Sequence, residues 1–138
     1  MRDQYYEELD HIVDELVQLT GTVRRAVSDA TTALLEADGA MAEAVIDGDK
    51  VIDETTETIE ERALLILATQ QPVATDLRQL VATLRMVADL QRMGDLSVHV
   101  AKIARRRMPD VAVPPSLHPT IESMAKTADS MIDSASRI

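Results

Sequence analysis

The chain has 138 residues, no cysteine, tryptophan or phenylalanine, two tyrosines, and a formal net charge of −10. This excludes disulfides, thiol catalysis and thiolate metal sites, removes aromatic stacking on bases, and sets the electrostatic field against DNA or RNA as a partner. With no run of about 18 apolar residues to span a bilayer and no apolar signal-peptide core at the N-terminus, the chain reads as a soluble cytoplasmic protein of one domain, or one domain and a fragment.

Apolar residues recur at helical spacing along most of the chain. The first predicted helix covers residues 3–37, with Tyr6, Leu9, Val13, Leu16, Val23, Val27, Ala30 and Leu34 as its inner ladder. Thr20 is the one polar rung, and Gly21 beside it offers a close crossing or a slight bend. Asp38 and Gly39 break the pattern, and Asp38 suits the N-cap of the next helix. The second helix covers residues 39–69, with Met41, Val45, Ile52, Ile59, Ala63 and Ile66 inward and a dense run of Asp and Glu outward. Pro72 ends it, because proline lacks an N–H and disfavours helical geometry at Gln71.

The third helix covers residues 73–107, with Pro72 or Thr75 at its start. Lys102, Arg105, Arg106 and Arg107 crowd its C-terminal end, where positive charge suits the helix dipole. Pro109, Pro114 and Pro115 mark residues 108–118 as a linker. A fourth helix covers residues 119–138, with Ile121, Met124, Ala128, Met131, Ile132 and Ala135 on one face. No segment alternates as a strand would. The expected fold is all-α: an antiparallel three-helix bundle over residues 1–107, a linker, and one more helix.

Several residues stand out against this background. Advancing about 100° per residue, Leu77, Leu84, Ala88, Gln91 and Asp95 share an arc of the third helix, flanked by Leu80 and Val98. A polar pair on a core stripe costs free energy unless a partner satisfies it, so Gln91 and Asp95 form a candidate site. Asp49 and Asp53 lie four apart on one helix face and can reach one cation, and Glu57 extends the row by a turn. Oxygen ligands suit hard cations such as Mg²⁺, Ca²⁺, Mn²⁺ or oxidised iron. The plainer reading is a solvated acidic face near a helix start. Gly94 fits close helix packing. Arg78, Arg85 and Arg92 repeat every seven residues as a lateral basic stripe, either for solubility and intrahelical ion pairs or for docking an acidic protein partner. Arg105–Arg107 is a helix end that also suits peripheral contact with an anionic membrane. Glu8-x-x-His11 matches half of a di-iron bundle motif, but no second copy exists, so an oxidase is disfavoured.

Four segments, in order, resemble one family: Val45-Ile46-Asp47-Gly48-Asp49-Lys50-Val51-Ile52-Asp53, Ile59-Glu60-Glu61-Arg62-Ala63-Leu64, Gln71-Pro72-Val73-Ala74-Thr75-Asp76-Leu77-Arg78, and Asp89-Leu90-Gln91-Arg92-Met93-Gly94-Asp95. Together they resemble PhoU, the regulator associated with bacterial phosphate-specific transport. The resemblance implies two tandem three-helix bundles, of which this chain holds the first and the opening helix of an incomplete second, as in a truncated protein. It implies a non-enzymatic adaptor that lowers phosphate-starvation signalling by linking the ATPase of a phosphate ABC transporter to a sensor histidine kinase. It also implies metal at acidic pairs: iron, zinc, magnesium or manganese at Asp49 and Asp53, with a second pair at position 91 and Asp95. Gln91 departs from the Glu favoured there, which removes one negative charge. The competing reading is a helical scaffold or oligomerisation module with no metal site. The fourth helix, lacking its bundle partners, must fold back on the first bundle, stay disordered or pack on another molecule; its apolar face favours self-association into a homo-oligomer.

Overall fold

A computed structural model describes residues 2–137. Four α-helices, α1 (Arg2–Glu36), α2 (Gly39–Gln70), α3 (Ala74–Arg107) and α4 (His118–Ser136), succeed one another, with a short 3₁₀ turn at Pro115–Leu117 before α4. No strand occurs among the described residues. The first three pack mutually as an antiparallel bundle, and α4 lies against α1.

Local chemistry sets the two turns. Ala37 takes a left-handed φ of 53°, and Asp38 N–H then donates back to Ala33 O at 3.2 Å, closing α1 as a Schellman-type end. The Asp38 carboxylate accepts from Met41 N–H at 3.1 Å, the expected N-cap of α2. Gln71, at φ 46° and ψ 56°, ends α2 before Pro72. Neither Pro72 nor Thr75 caps α3. Its N-cap is Val73, extended at φ −129° with no side-chain hydrogen bond.

The main core gathers Leu9, Ile12, Leu16, Leu19 and Val23 of α1, Ile52, Ile59 and Ile66 of α2, and Leu80, Val87 and Leu90 of α3. A second core at the α1–α2 turn is built from Ala30, Ala33, Leu34, Ala42, Val45, Ala101 and Ala104. Small side chains at that end let the helices approach closely. Two ladders differ from expectation. On α1, Ile12 and Leu19 are buried and Tyr6 is exposed, because α1 packs against three helices and needs more than one stripe. On α3 the buried line is Leu80, Thr83, Val87, Leu90, Gly94, Ser97, Val98, Ala101 and Ala104. Leu77 and Ala88 are exposed, and Gln91 and Asp95 border the core rather than sit on its axis. Gly21 has open space around it, so no close crossing explains it.

The fourth helix folds back on α1, the first of its three expected fates. Ile132 is buried there. An ion pair between Arg24 of α1 and Asp129 and Asp133 of α4 fixes the contact. Met124 and Met131 remain 63% and 67% exposed, so the apolar face is covered only in part.

Candidate metal centre

The acidic face of α2 and the polar border of α3 meet beside Gly94. Gly94 makes this approach possible: a Cβ there would stand 3.2 Å from Ile52 Cγ2 and 3.4 Å from Asp49 Oδ1. The close packing expected of this glycine is therefore present, and it sets Asp95 beside the Asp49–Asp53 pair.

Asp49, Asp53 and Asp95 each place a carboxylate oxygen within 4.8 Å of the other two, and all three are half-buried. Two separate pairs were expected; the structure merges them into one triad drawn from two helices. Glu57, one turn further along α2, is exposed and lies outside it. Gln91 Nε2 donates to Asp53 Oδ1 at 3.1 Å, so the amide joins the group as a hydrogen-bond donor.

Like charges at this separation repel, and the site shows it. Asp49 Oδ1 is buried and has no hydrogen-bond partner. Burial first, and then the neighbouring Asp53 and Asp95, push the Asp49 carboxyl above the usual carboxylate range, while Lys102 draws it partly back. An orphaned buried carboxylate oxygen facing two further carboxylates is a donor set that a cation would satisfy. Oxygens on opposite sides of one hard cation stand about 4–5 Å apart, so the triad fits a single such ion without rearranging its helices.

The other candidates are dispersed. Arg78, Arg85 and Arg92 are exposed along α3, and none pairs with a carboxylate within the described residues. The expectation of intrahelical ion pairing for this stripe is not met; the guanidinium groups are free to meet a partner. Arg105 Nη1 reaches Glu43 Oε1 of α2 at 3.0 Å, an interhelical contact rather than a simple helix end. His11 lies beside Glu15, with Nε2 3.0 Å from Oε1, and Arg62 Nη1 reaches the same oxygen at 2.9 Å. Neither contact has hydrogen-bond geometry; Arg62 and Glu15 form an ion pair between α2 and α1, and His11 lies beside it. His11 thus belongs to an α1–α2 salt cluster, not to a Glu8 metal motif.

Two features escaped the sequence reading. Lys102, seven residues after Asp95, stands near enough to act on Asp49; the heptad spacing was its signal. Asp129 and Asp133, four apart on α4, carried no expectation from the sequence. No helix of the described residues is long and apolar enough to cross a membrane.

Comparison with known proteins agrees with this architecture. Residues 16–104 match the PhoU domain. The phosphate-specific transport system accessory protein PhoU homolog 2 of Mycobacterium tuberculosis is 41% identical over all 138 residues, which span 65% of its own length. PhoU homolog 1 of Mycobacterium leprae is 40% identical over 128 residues, 93% of this chain and 58% of that protein. The crystal structure of PhoU from Pseudomonas aeruginosa superposes with a TM-score of 0.87 at 29% identity, covering 94% of this chain and 61% of that one. The chain therefore spans less than two thirds of these relatives. The PhoU-domain match over residues 16–104, the identity along the whole sequence and the superposition of the helical architecture lead to one assignment: the chain belongs to the PhoU family.

Proposed function

We propose that this chain acts as a non-enzymatic regulatory adaptor of a phosphate-specific transport system, and that it lowers phosphate-starvation signalling by linking the transporter ATPase subunit to a sensor histidine kinase. The observation that carries the reading is the alignment of all 138 residues with an accessory protein of such a system. The exposed arginines 78, 85 and 92 supply a basic strip for an acidic surface on either partner. Asp49, Asp53 and Asp95 would hold one hard cation, most simply iron, manganese or magnesium; zinc suits an all-carboxylate set less well. The ion would neutralise like charges and tie α2 to α3. Work beside a transporter suits a cytoplasmic location with at most peripheral membrane contact, and the exposed Met124 and Met131 suit assembly with a further protein surface or a second copy.

Affinity capture tests the adaptor reading. The chain, immobilised, should retain both the transporter ATPase and the kinase, and the triple Arg78, Arg85 and Arg92 to Ala variant should retain less of at least one. Capture of neither by the folded chain would reject the adaptor reading. Metal analysis then tests the centre. Asp49→Asn with Asp53→Asn should lose the metal that the unaltered chain binds, and equal binding by both would reject the site.

A further inference from the structure

The triad has a fourth member that carries no charge. Gln91 stands one turn before Asp95 on α3 and donates through Nε2 to Asp53 Oδ1 at 3.1 Å. We propose that Gln91 restricts this centre to a single hard cation, as the specificity-determining residue of the site. The proposal rests on the metal-centre reading above.

Geometry gives the first argument. The Gln91 N–H engages one oxygen of Asp53, leaving that carboxylate its other oxygen for an ion. A carboxylate at position 91 would do the reverse: it would repel Asp53 in the empty site and bridge to a second cation in the filled one.

Charge gives the second. Three carboxylates outweigh one divalent cation and are outweighed by two. Lys102 is already close enough to act on Asp49, which adds to the positive side of the balance. The site is half-buried, so an excess of positive charge would be only partly relieved by solvent. One divalent ion leaves a residual negative charge that Lys102 can offset. A second ion needs another anion, and Gln91 occupies the position that would supply it.

Titration of the full chain with Mn²⁺ decides the matter, read by calorimetry, by metal analysis after desalting, and by electron paramagnetic resonance. The unaltered chain should take one Mn²⁺ with the spectrum of an isolated ion. Gln91→Glu should take two and show the spectrum of a spin-coupled pair, with circular dichroism confirming that it folds. Gln91→Leu removes the N–H without adding charge and should still take one. Two ions on the unaltered chain, or one ion with an uncoupled spectrum on folded Gln91→Glu, would overturn the role given to Gln91. Failure of the centre itself reads differently: Asp49→Asn would then bind Mn²⁺ as the unaltered chain does, or the unaltered chain would bind none.

Discussion

Arg24 of α1 forks onto Asp129 of α4, with Nη2 donating to Oδ2 at 2.8 Å and Nε to Oδ1, while Nη1 reaches Asp133 Oδ1 at 3.0 Å. Among the bundle helices, α4 packs only on α1, and Ile132 is its one buried residue. The fork therefore fixes the register and angle of α4, while Ile132 supplies its one buried side chain and Ile121 packs on the second core. Arg24 and Asp129 are 40% and 45% exposed, so salt screens their attraction. Arg24→Gln should raise amide hydrogen exchange throughout α4 and leave α1–α3 protected, and molar salt should act in the same direction. The pair holds the Asp129 carboxyl below its ordinary value. A lowered carboxylate contributes stability that is present above its unfolded pKa, about 4, and is lost as pH falls through the lowered value. Docking of α4 should thus weaken on acidification below about pH 4. Unchanged exchange in Arg24→Gln would mean that packing around Ile132 suffices alone.

Gly94 tests how tightly α2 and α3 are held. In a helix interior alanine is favoured over glycine by about 1 kcal/mol. Here a new Cβ would press on Ile52 at 3.2 Å and 3.3 Å, and overpacking of a fitted core costs ~1–3 kcal/mol. The clash should win, so Gly94→Ala should be less stable in urea by about 1 kcal/mol. Ile52→Val trims the atom at 3.3 Å. The double variant should therefore lose less than the sum of the single losses, a coupling that a double-mutant cycle measures. Strict additivity would show that the two residues do not press on each other.

The fold was readable because its signals are local and repeated. Helical periodicity, Asp38 as a cap and Pro72 as a stop place the three long helices within a residue or two. The centre was half readable. Asp49 and Asp53 are four apart, so one helix declares them, but their meeting with Asp95 is a relation between helices that no single period contains. The inner arc of α3 was placed one position late for a related reason. Leu77 and Leu84 weigh heavily in an apolar count, whereas Thr83, Gly94, Ser97 and Ala101 fill the buried line because the neighbouring backbones come close. The fate of α4 turned on Arg24 meeting Asp129, two charges 105 positions apart.

The triad carries a cost that substitution should reveal. Asp49 is raised by burial and by Asp53 and Asp95. A carboxyl raised on folding contributes stability that is fully present below its unfolded pKa, about 4, and is lost as pH rises through the raised value. The metal-free protein should therefore weaken as pH climbs above about 4. Asp49→Asn with Asp53→Asn should flatten that dependence and leave the metal-free chain at neutral pH as stable as before, or more so. Thermal melts across pH in the presence of a chelator make the comparison. A variant markedly less stable than its parent at neutral pH would show that the carboxylates hold structural hydrogen bonds beyond the contact with Gln91.

Thr56 supplies a prediction independent of any ligand. It is 1% exposed in the middle of α2, and its hydroxyl has no hydrogen-bond partner. Thr20, Thr83 and Ser97, also buried, each donate to a carbonyl one turn back, at 2.6 Å, 2.9 Å and 2.9 Å. An unpaired buried hydroxyl costs ~1–3 kcal/mol. Valine has nearly the same shape, a similar helix propensity and no polar atom to satisfy. Thr56→Val should therefore stabilise the bundle by about 1 kcal/mol or more in urea, with an unchanged denaturant slope. The matching change at Thr83, where the hydroxyl is satisfied, should bring no comparable gain. A loss of stability in Thr56→Val would mean that the hydroxyl finds a partner in solution, and that the core around it is wetter than its packing indicates.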